Sequence, residues 1–376
     1  MSKEPASRSS TLWLIATGFI FCSLVWYFGF NGKPTEILQV KLDHFFQSAF
    51  PASEPGAAVL IKAGDSILFS GGFGLSDLNT RTKVTTQTLF NLGSVSKTFV
   101  SNAILKLRDE GKLSLEDNLI KYFPDWTNKE IGEKVKILHL LTHTSGLPDI
   151  RFPYEDSVFY LTAKDSENWA PILKAEKLNF EPGTRFEYSN PAFNALALII
   201  EQVSGQRWQQ YVQEQIILPS GMNASTITDG SHPSSGVAHG YIFSRGEWLE
   251  KDYMEEPTFA ASGNGGVWSS VLELSAYESA LKNARFLNHS TIQESMEIKT
   301  FTGWRDSIPE KIGWSWFIGK TKSGLKTIGH TGSQGGFRAN FVMIPEKNWL
   351  IVMLSTSPKP LEEYTDQVVR WLEEEE

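Results

Sequence analysis

Apolar positions along the chain recur at spacings that change from helical to strand-like and back again. Between residues 34 and 50 they recur at helical spacing. Two strand-like runs follow, Ala57–Ala63 and Ser66–Ser70, and the Gly64-Asp65 pair between them is a hairpin signal. The N-terminal part of the pattern therefore predicts one helix followed by two antiparallel strands.

The middle of the chain, from about Asn91 to Ser279, is mostly helical or loop-like in pattern. It contains a clear helix over Lys97–Glu110 that Gly111 closes as a C-cap. An amphipathic helix is also predicted after Pro360. The strand-like runs that return late in the chain are Ile312–Gly319, Leu325–Thr331, Phe337–Ile344 and Trp349–Ser355.

This order of elements predicts an α+β fold, an α/β sandwich in which helices flank an antiparallel sheet built from both ends of the chain. A separate all-helical lobe is expected between the two parts of the sheet. We expect residues 1–33 to form an N-terminal segment and residues 34–376 to form one folded domain. Within that domain the α/β part covers about 34–93 and 280–376, and the helical lobe covers about 94–279.

Most of the N-terminal segment is uncharged and rich in apolar residues. No charged residue occurs in the 24 residues from Ser9 to Gly32, which as a helix would span roughly 36 Å and cross a hydrocarbon layer of ~30 Å. Lys3 and Arg8 precede it, which favours the N-terminus inside and the rest of the chain outside the cytoplasm. A membrane anchor through residues 9–32 is predicted; a cleaved signal peptide and a buried core helix remain alternatives.

Composition excludes several classes of function. With 41% hydrophobic and 21% charged residues a packed core is expected, and a net charge of −8 without a basic run gives no nucleic-acid footprint. Cys22 is the single cysteine, so there is no intrachain disulfide and no cysteine zinc site. His139 and His143 are four residues apart, but no acidic residue completes a zinc-protease pattern. Neither a metal nor a cofactor is expected.

Candidate chemistry begins with Ser94-Val95-Ser96-Lys97, at the start of the predicted helix. A spacing of three places Ser94 and Lys97 on one face, near enough to touch. Serine needs a base, and lysine serves as one only when burial or a neighbouring cation lowers its pKa. The same Ser-x-x-Lys pattern occurs at Ser279–Lys282 and at Ser323–Lys326. Only Ser94 opens an apolar-periodic helix after a buried-looking run, and this favours it over the other two.

Two further elements suit the same chemistry. Tyr188-Ser189-Asn190 is the only Tyr-x-Asn in the chain, and its phenol could relay a proton while its amide orients a substrate carbonyl or the lysine. His330-Thr331-Gly332 follows a strand-like run, and glycine there would let a substrate backbone approach the strand edge. The backbone N–H of Ser333 is a candidate oxyanion donor.

These three elements, in this order, resemble the serine β-lactamase and penicillin-binding protein superfamily, in the branch related to class C β-lactamases. The resemblance covers roughly residues 38–374. Four framework segments also resemble that branch: Asp117–Pro124, Ile137–Pro148, Phe180–Gly183 and Asn264–Ser269.

The resemblance implies a β-lactamase/transpeptidase-like fold and acyl transfer to a serine, followed by hydrolysis. It implies Ser94 as nucleophile, Lys97 as general base and Tyr188 as a partner in proton transfer. The N–H groups of Ser94 and Ser333 would form the oxyanion hole. The substrate-binding residues it implies are Asn190, His330, Thr331, Gly332 and Ser333.

One position departs from the family pattern. Lysine usually stands where this chain has His330, and a permanent cation there attracts a substrate carboxylate, whereas histidine is largely neutral at pH 7. Relatives with His-Thr-Gly include esterases and D-amino-acid peptidases or amidases. We therefore expect a membrane-anchored hydrolase of a small-molecule or peptide ester or amide. The alternatives are a D,D-carboxypeptidase or β-lactamase, and a non-catalytic binding or scaffold protein of the same fold.

Overall fold

The computed structural model describes residues 36–151, 162–227, 236–251, 262–301 and 311–375. Across these ranges no helix is both long enough and apolar enough to cross a membrane. The expectation of a transmembrane helix is therefore corrected, and membrane anchoring plays no part in the function proposed below. Residues 9–32, on which that expectation was based, lie outside the described residues.

The described elements alternate along the chain much as the apolar pattern indicates. The helices are α1 (Glu36–Ala49), α2 (Ser96–Asp109), α3 (Lys129–Lys134), α4 (Ile137–Leu141), α5 (Asp165–Trp169), α6 (Asn190–Ser204), α7 (Trp208–Val212), α8 (Val271–Lys282), α9 (His289–Ser295) and α10 (Leu361–Glu374). The strands are β1 (Ala57–Ala63), β2 (Ser66–Phe73), β3 (Leu75–Asp77), β4 (Thr82–Lys83), β5 (Phe90–Asn91), β6 (Thr226–Ile227), β7 (Tyr241–Ser244), β8 (Glu247–Glu250), β9 (Val267–Ser269), β10 (Phe317–Lys320), β11 (Lys326–Gln334), β12 (Phe337–Ile344) and β13 (Trp349–Ser355).

The main sheet has six strands in the order β10-β11-β12-β13-β1-β2, with every neighbouring pair antiparallel. Strands from the two ends of the chain meet where β1 pairs with β13. The predicted α+β architecture with an antiparallel sheet is confirmed. Three smaller sheets, β3-β4, β5-β9-β6 and β7-β8, accompany it among the described residues.

Helices cover both faces of the central strands. Along β1, Ala58 and Leu60 point into one buried cluster, while Val59 and Ile61 point into the other. This is the alternation of a β-strand, and because both faces are covered the strand reads as a continuous apolar run. Helices α1 and α10 cover the second face, where the aromatic rings of Phe45 and Trp371 meet at 5.2 Å.

The first face of the sheet packs against α8, and the same buried cluster contains α2, which is buried along most of its length. Several strand boundaries differ from those that the sequence predicts, and β2 continues past its predicted end at Ser70 to Phe73. The run predicted to begin at Ile312 becomes a strand only at Phe317, because a tight turn with Ser315 at a φ of 68° precedes it. Strand β11 continues past its predicted end at Thr331 to Gln334, so the whole His-Thr-Gly element and the residue after it lie within this strand.

Candidate active site

Ser94 and Lys97 are in direct contact at the entrance of α2. Ser94 lies in a 3-10 turn, Gly93–Val95, that continues into the helix, and this geometry brings Lys97 Nζ to 3.0 Å from Ser94 Oγ. The serine is half-buried, whereas the lysine is completely buried. The turn also places backbone N–H groups of a helix start beside the serine, where a developing negative charge would be stabilised.

The amine of Lys97 is enclosed by a carbonyl group and by aromatic rings. Its Nζ donates a hydrogen bond to the carbonyl oxygen of Asn264 at 2.7 Å and lies 5.2 Å from the ring centre of Tyr188. Burial lowers the pKa of Lys97 well below its usual range, and the positive charge of Arg151 acts in the same direction. The two conditions that a lysine base requires, burial and a nearby cation, are therefore both present.

The Asn264 segment that binds Lys97 is itself held by a buried polar network. The side-chain oxygen of Asn264 accepts hydrogen bonds from Ser262 Oγ at 2.5 Å and from Asn194 Nδ2 at 3.3 Å. Asn194 Nδ2 and the backbone N–H of Gly263 both donate to Asp165 Oδ1 at 2.8 Å. Burial raises the pKa of Asp165 to about 7, although these donors act against that rise. This network holds Asn264, whose backbone carbonyl oxygen accepts the hydrogen bond from Lys97.

Arg151 supplies the cation near Lys97 and was not singled out from the sequence. Its side chain is almost completely buried and makes a two-point ion pair with Asp149, with Nε–Oδ1 at 2.8 Å and Nη2–Oδ2 at 2.6 Å. Arg151 Nη1 also donates to Asn168 Oδ1 at 2.5 Å. A buried arginine is rare unless it is paired in this way, and its burial depends on tertiary packing that no local pattern reveals.

Tyr188 reaches the site from the residue pair before α6. Ser189 caps that helix by accepting the N–H of Ala192 at 3.3 Å, and Pro191 occupies its first turn. Tyr188 is 38% exposed as a residue. Burial raises the pKa of Tyr188 to about 12, and the nearby Ser94 side chain acts in the opposite direction.

Strand β11 passes directly against the Ser94 turn. A Cβ placed on Gly332 would stand 3.2 Å from the backbone nitrogen of Ser94, and one placed on Gly93 would stand 2.7 Å from the backbone nitrogen of Ser333. Gly93 also has a φ of 50°, a conformation that glycine adopts without strain. The N–H groups of Ser94 and Ser333, the predicted oxyanion donors, thus belong to two backbone segments in close contact.

His330 is buried beside this contact and is neutral. Its Nδ1 donates to the carbonyl oxygen of Thr331 at 2.6 Å, and its ring meets that of Phe317 at 5.1 Å. Burial lowers the pKa of His330 to about 3, and the charge of Lys97 contributes in the same direction. Its Nε2 is buried without a hydrogen-bond partner among the described residues, which leaves one acceptor available.

The remaining predicted substrate contacts are less closely tied to the nucleophile. Asn190 is the first residue of α6 and is half-buried. Thr331 is exposed and pairs with Asn340 of β12 on the sheet face that carries α10, opposite to the face of His330. Their roles as substrate contacts stay predictions.

The other two Ser-x-x-Lys pairs take part in different interactions. Ser279 Oγ accepts a hydrogen bond from Lys62 at 2.6 Å, and Lys62 also pairs with buried Glu278 at 2.8 Å. Lys282 likewise pairs with Glu278. Ser323 is exposed in a turn. Of the three pairs, only Ser94 and Lys97 join a serine hydroxyl to a completely buried amine.

Comparison with known proteins follows the same residues. The Beta-lactamase family model matches residues 46–374. The chain is 27% identical over 325 residues to Protein flp of Staphylococcus aureus (strain MW2), a match that covers 84% of this chain and 63% of that protein. It is 26% identical over 338 residues to Penicillin-binding protein 4* of Bacillus subtilis (strain 168), covering 85% and 72%. The chain therefore spans less than two thirds of Protein flp.

Solved structures show the same similarity. The octameric penicillin-binding protein homologue from Pyrococcus abyssi has a TM-score of 0.74 at 28% identity, covering 85% of this chain and 73% of that one. D-amino acid amidase from Ochrobactrum anthropi SV3, complexed with D-phenylalanine, has a TM-score of 0.75 at 19% identity, covering 90% and 98%. The second likeness concerns the fold alone.

Proposed function

Because the chain belongs to the Beta-lactamase family, whose members are serine hydrolases, we propose that Ser94 is the nucleophile through which it cleaves an ester or amide bond. One observation carries this proposal: the Ser94 hydroxyl lies 3.0 Å from a completely buried lysine amine. The product of the first step is an acyl-enzyme on Ser94 Oγ, which water then hydrolyses.

The two opposite pKa shifts support different proton-transfer roles for Lys97 and Tyr188. The pKa of Lys97 is lowered, so a neutral amine accessible at moderate pH can accept the Ser94 proton. The pKa of Tyr188 is raised to about 12, so its phenol keeps its proton at pH 7 and acts as a donor rather than as the base. The proton passes from Ser94 to Lys97 during attack. Tyr188 then gives its phenol proton to the leaving group and takes the proton held by Lys97 in its place, so that both side chains return to their starting states.

The oxyanion that forms during attack would be stabilised by the backbone N–H groups of Ser94 and Ser333. The contact between the two backbone segments that carry these groups supports this assignment. Fixed backbone donors of this kind stabilise the transition state without reorganising during the reaction.

The neutral state of His330 points to the class of substrate. A permanent cation at this position would attract a carboxylate, and a histidine with a pKa of about 3 supplies none near pH 7. We therefore infer a substrate whose acyl portion needs no free carboxylate next to the scissile bond. An ester or an amide of a small molecule or short peptide meets this condition.

A second candidate function is suggested by a relative's name. Penicillin-binding protein 4* shares 26% identity over 85% of this chain. This favours a D,D-carboxypeptidase or β-lactamase activity, in which peptidoglycan or a β-lactam acylates the same Ser94. The catalytic residues would be unchanged, so only the choice of substrate separates the two functions.

A substrate panel on the full chain tests the proposal. It contains p-nitrophenyl esters, D-amino-acid amides and a chromogenic cephalosporin, with Ser94→Ala as the blank and Ser323→Ala as the matched control. We expect ester or amide turnover that Ser94→Ala abolishes and Ser323→Ala preserves. Turnover of the cephalosporin alone would establish the second candidate, and full turnover by Ser94→Ala would overturn both.

A pair of esters with one leaving group tests the substrate class. One ester carries a free carboxylate and the other is neutral, and kcat/KM is measured for both between pH 5.5 and pH 8. Because His330 is neutral throughout this range, we expect the ratio of the two values, kcat/KM of the carboxylate ester divided by kcat/KM of the neutral ester, to stay constant. His330→Lys should raise the ratio in favour of the carboxylate ester. A wild-type ratio that falls as pH rises would show that a histidine cation binds the carboxylate.

A further inference from the structure

His143 contacts three consecutive residues centred on Tyr188. Its carbonyl oxygen accepts the backbone N–H of Glu187 at 2.9 Å, and its Nδ1 accepts the backbone N–H of Ser189 at 3.1 Å. Between these two bonds its imidazole ring stacks on the Tyr188 ring, with centroids 4.3 Å apart and planes 28° apart. One residue therefore contacts the peptide on both sides of the tyrosine: its backbone carbonyl binds Glu187, and its side chain binds Ser189 and stacks on the Tyr188 ring.

The hydrogen bond from the Ser189 N–H requires a neutral imidazole ring at His143. Since Nδ1 accepts a hydrogen bond, the ring proton lies on Nε2, and a protonated ring would offer a second N–H where the acceptor is needed. His143 is completely buried, which lowers its pKa well below the usual range, and the nearby Lys97 acts in the same direction. At moderate pH the imidazole therefore stays neutral, and its Nδ1 remains able to accept the hydrogen bond from Ser189.

The backbone of His143 is held in a conformation that histidine seldom adopts. Its φ is 56°, in the left-handed region. The tight turn is closed by the His143 N–H, which donates to the carbonyl of Leu140 at 3.3 Å. Strain of this kind persists only where the surroundings impose it, and here it aims the ring between Tyr188 and Phe193, whose ring centre lies 5.2 Å away.

Apart from His143, the Tyr188 ring has two described neighbours. Phe317 lies 6.5 Å away between ring centroids and Lys97 Nζ lies 5.2 Å from the ring centre, while the tyrosine residue is 38% exposed. A tyrosine so exposed would sample rotamers that carry its hydroxyl away from Ser94. Displacement of a catalytic group by about 1 Å costs up to about 10²-fold in rate.

We propose that His143 is a positioning residue that fixes the Tyr188 hydroxyl beside Ser94 and Lys97. This inference rests on the proposed function, in which Tyr188 returns a proton to the leaving group. His143 itself transfers no proton. Its contribution is to hold Tyr188 in the one rotamer from which the transfer takes place.

Two substitutions separate the hydrogen bond of His143 to Ser189 from the stacking of its ring on Tyr188. His143→Asn keeps an acceptor atom near the place of Nδ1 and tolerates a positive φ, but removes the ring. His143→Phe keeps a ring but leaves the Ser189 N–H without its acceptor. His139 provides the matched control, because it is also buried and its Nδ1 accepts a backbone N–H, that of Lys136, at 3.0 Å. Its ring packs on Phe301, away from Tyr188.

The experiment measures kcat and KM of the full chain for a p-nitrophenyl ester, with kcat divided by the fraction of molecules that a fluorophosphonate labels. We expect both His143 variants to lower kcat by about 10- to 100-fold with KM unchanged, and His139→Asn to leave kcat unchanged. In a Tyr188→Phe background the His143 substitutions should cost nothing further, because the group they position is gone.

The outcomes distinguish this inference from the proposed function. Fully additive losses in the double variants, or unchanged kcat in both His143 variants, would overturn the positioning role alone. An unchanged kcat in Tyr188→Phe would overturn the assigned role of the tyrosine. Turnover by Ser94→Ala would overturn the proposed function itself. Since the labelled fraction corrects for misfolded molecules, partial unfolding of one variant leaves the comparison valid.

Discussion

Gly332 lies so close to Leu92 that a Cβ at Gly332 would stand 2.0 Å from the carbonyl oxygen of Leu92. Real Cβ atoms do not approach a backbone oxygen to that distance, so the contact between β11 and the Ser94 turn exists only with glycine at this position. The backbone nitrogens of Ser94 and Ser333 belong to the two segments that meet in this contact. The proposed oxyanion hole therefore depends on the absence of a Cβ atom at Gly332.

Gly332→Ala should push β11 away from the Ser94 turn. We expect kcat to fall by about 10²- to 10³-fold, the usual effect of losing one oxyanion donor, together with a lower melting temperature. Gly319→Ala is the matched control in the neighbouring strand, because its Cβ would meet only the side-chain oxygen of Thr327, at 3.0 Å. Kinetic constants and thermal unfolding check both variants, and wild-type kcat in Gly332→Ala would contradict the assigned hole.

Lys97→Arg tests whether the amine acts as a base or only as a cation. A guanidinium group stays protonated and cannot accept the Ser94 proton. We expect kcat/KM to fall by about 10²- to 10⁴-fold, the range for loss of general-base catalysis. Lys106→Arg, on the same helix and paired with Glu110 at 3.9 Å, is the control. Substantial activity in Lys97→Arg would show that positive charge alone is sufficient.

The sequence could predict those parts of the site in which the reacting side chains lie close together along the chain. Ser94 and Lys97 are three residues apart at a helix start, and that local geometry alone brings them together. The strands β1, β12 and β13 match their predicted bounds because long apolar runs in a covered sheet leave little choice of ends. Helix α10 likewise begins directly after Pro360, where the chain predicts it.

The rest depends on contacts between distant segments. The acceptor for Lys97 is the backbone carbonyl of Asn264, and a carbonyl group has no residue type to recognise. Arg151 is buried by tertiary packing, which includes its hydrogen bond to Asn168, 17 positions further along the chain. The contact of His143 with Tyr188 also has no local signal, because the two residues are 45 positions apart in the chain.

Asp165 should make stability depend on pH in a direction opposite to that of a salt-bridged carboxylate. Burial raises its pKa in the folded state to about 7 from an ordinary value of 3.8. Between these values the folded state holds a proton that the unfolded state has released, so stability from this group is present at low pH and is lost as pH rises towards 7.

Asp165→Asn removes that titration while keeping an oxygen acceptor for Gly263. We expect the free energy of unfolding of the wild type, minus that of the variant, to decrease as pH rises from 4 to 7. Denaturant unfolding at several pH values measures this difference. Taking the difference also cancels the opposite effect of the buried histidines, whose lowered pKa values remove stability as pH falls. A difference that stays constant with pH would contradict the assignment.

The central claim is that an acyl group becomes attached to Ser94 during turnover. Intact mass spectrometry of the full chain, quenched in acid during reaction with an activated ester and followed by peptide mapping, observes that bond directly. We predict one added acyl group, located on Ser94, which is absent in Ser94→Ala and decays with the rate of turnover. Turnover with an unmodified chain, or with the acyl group on another residue, would contradict the account.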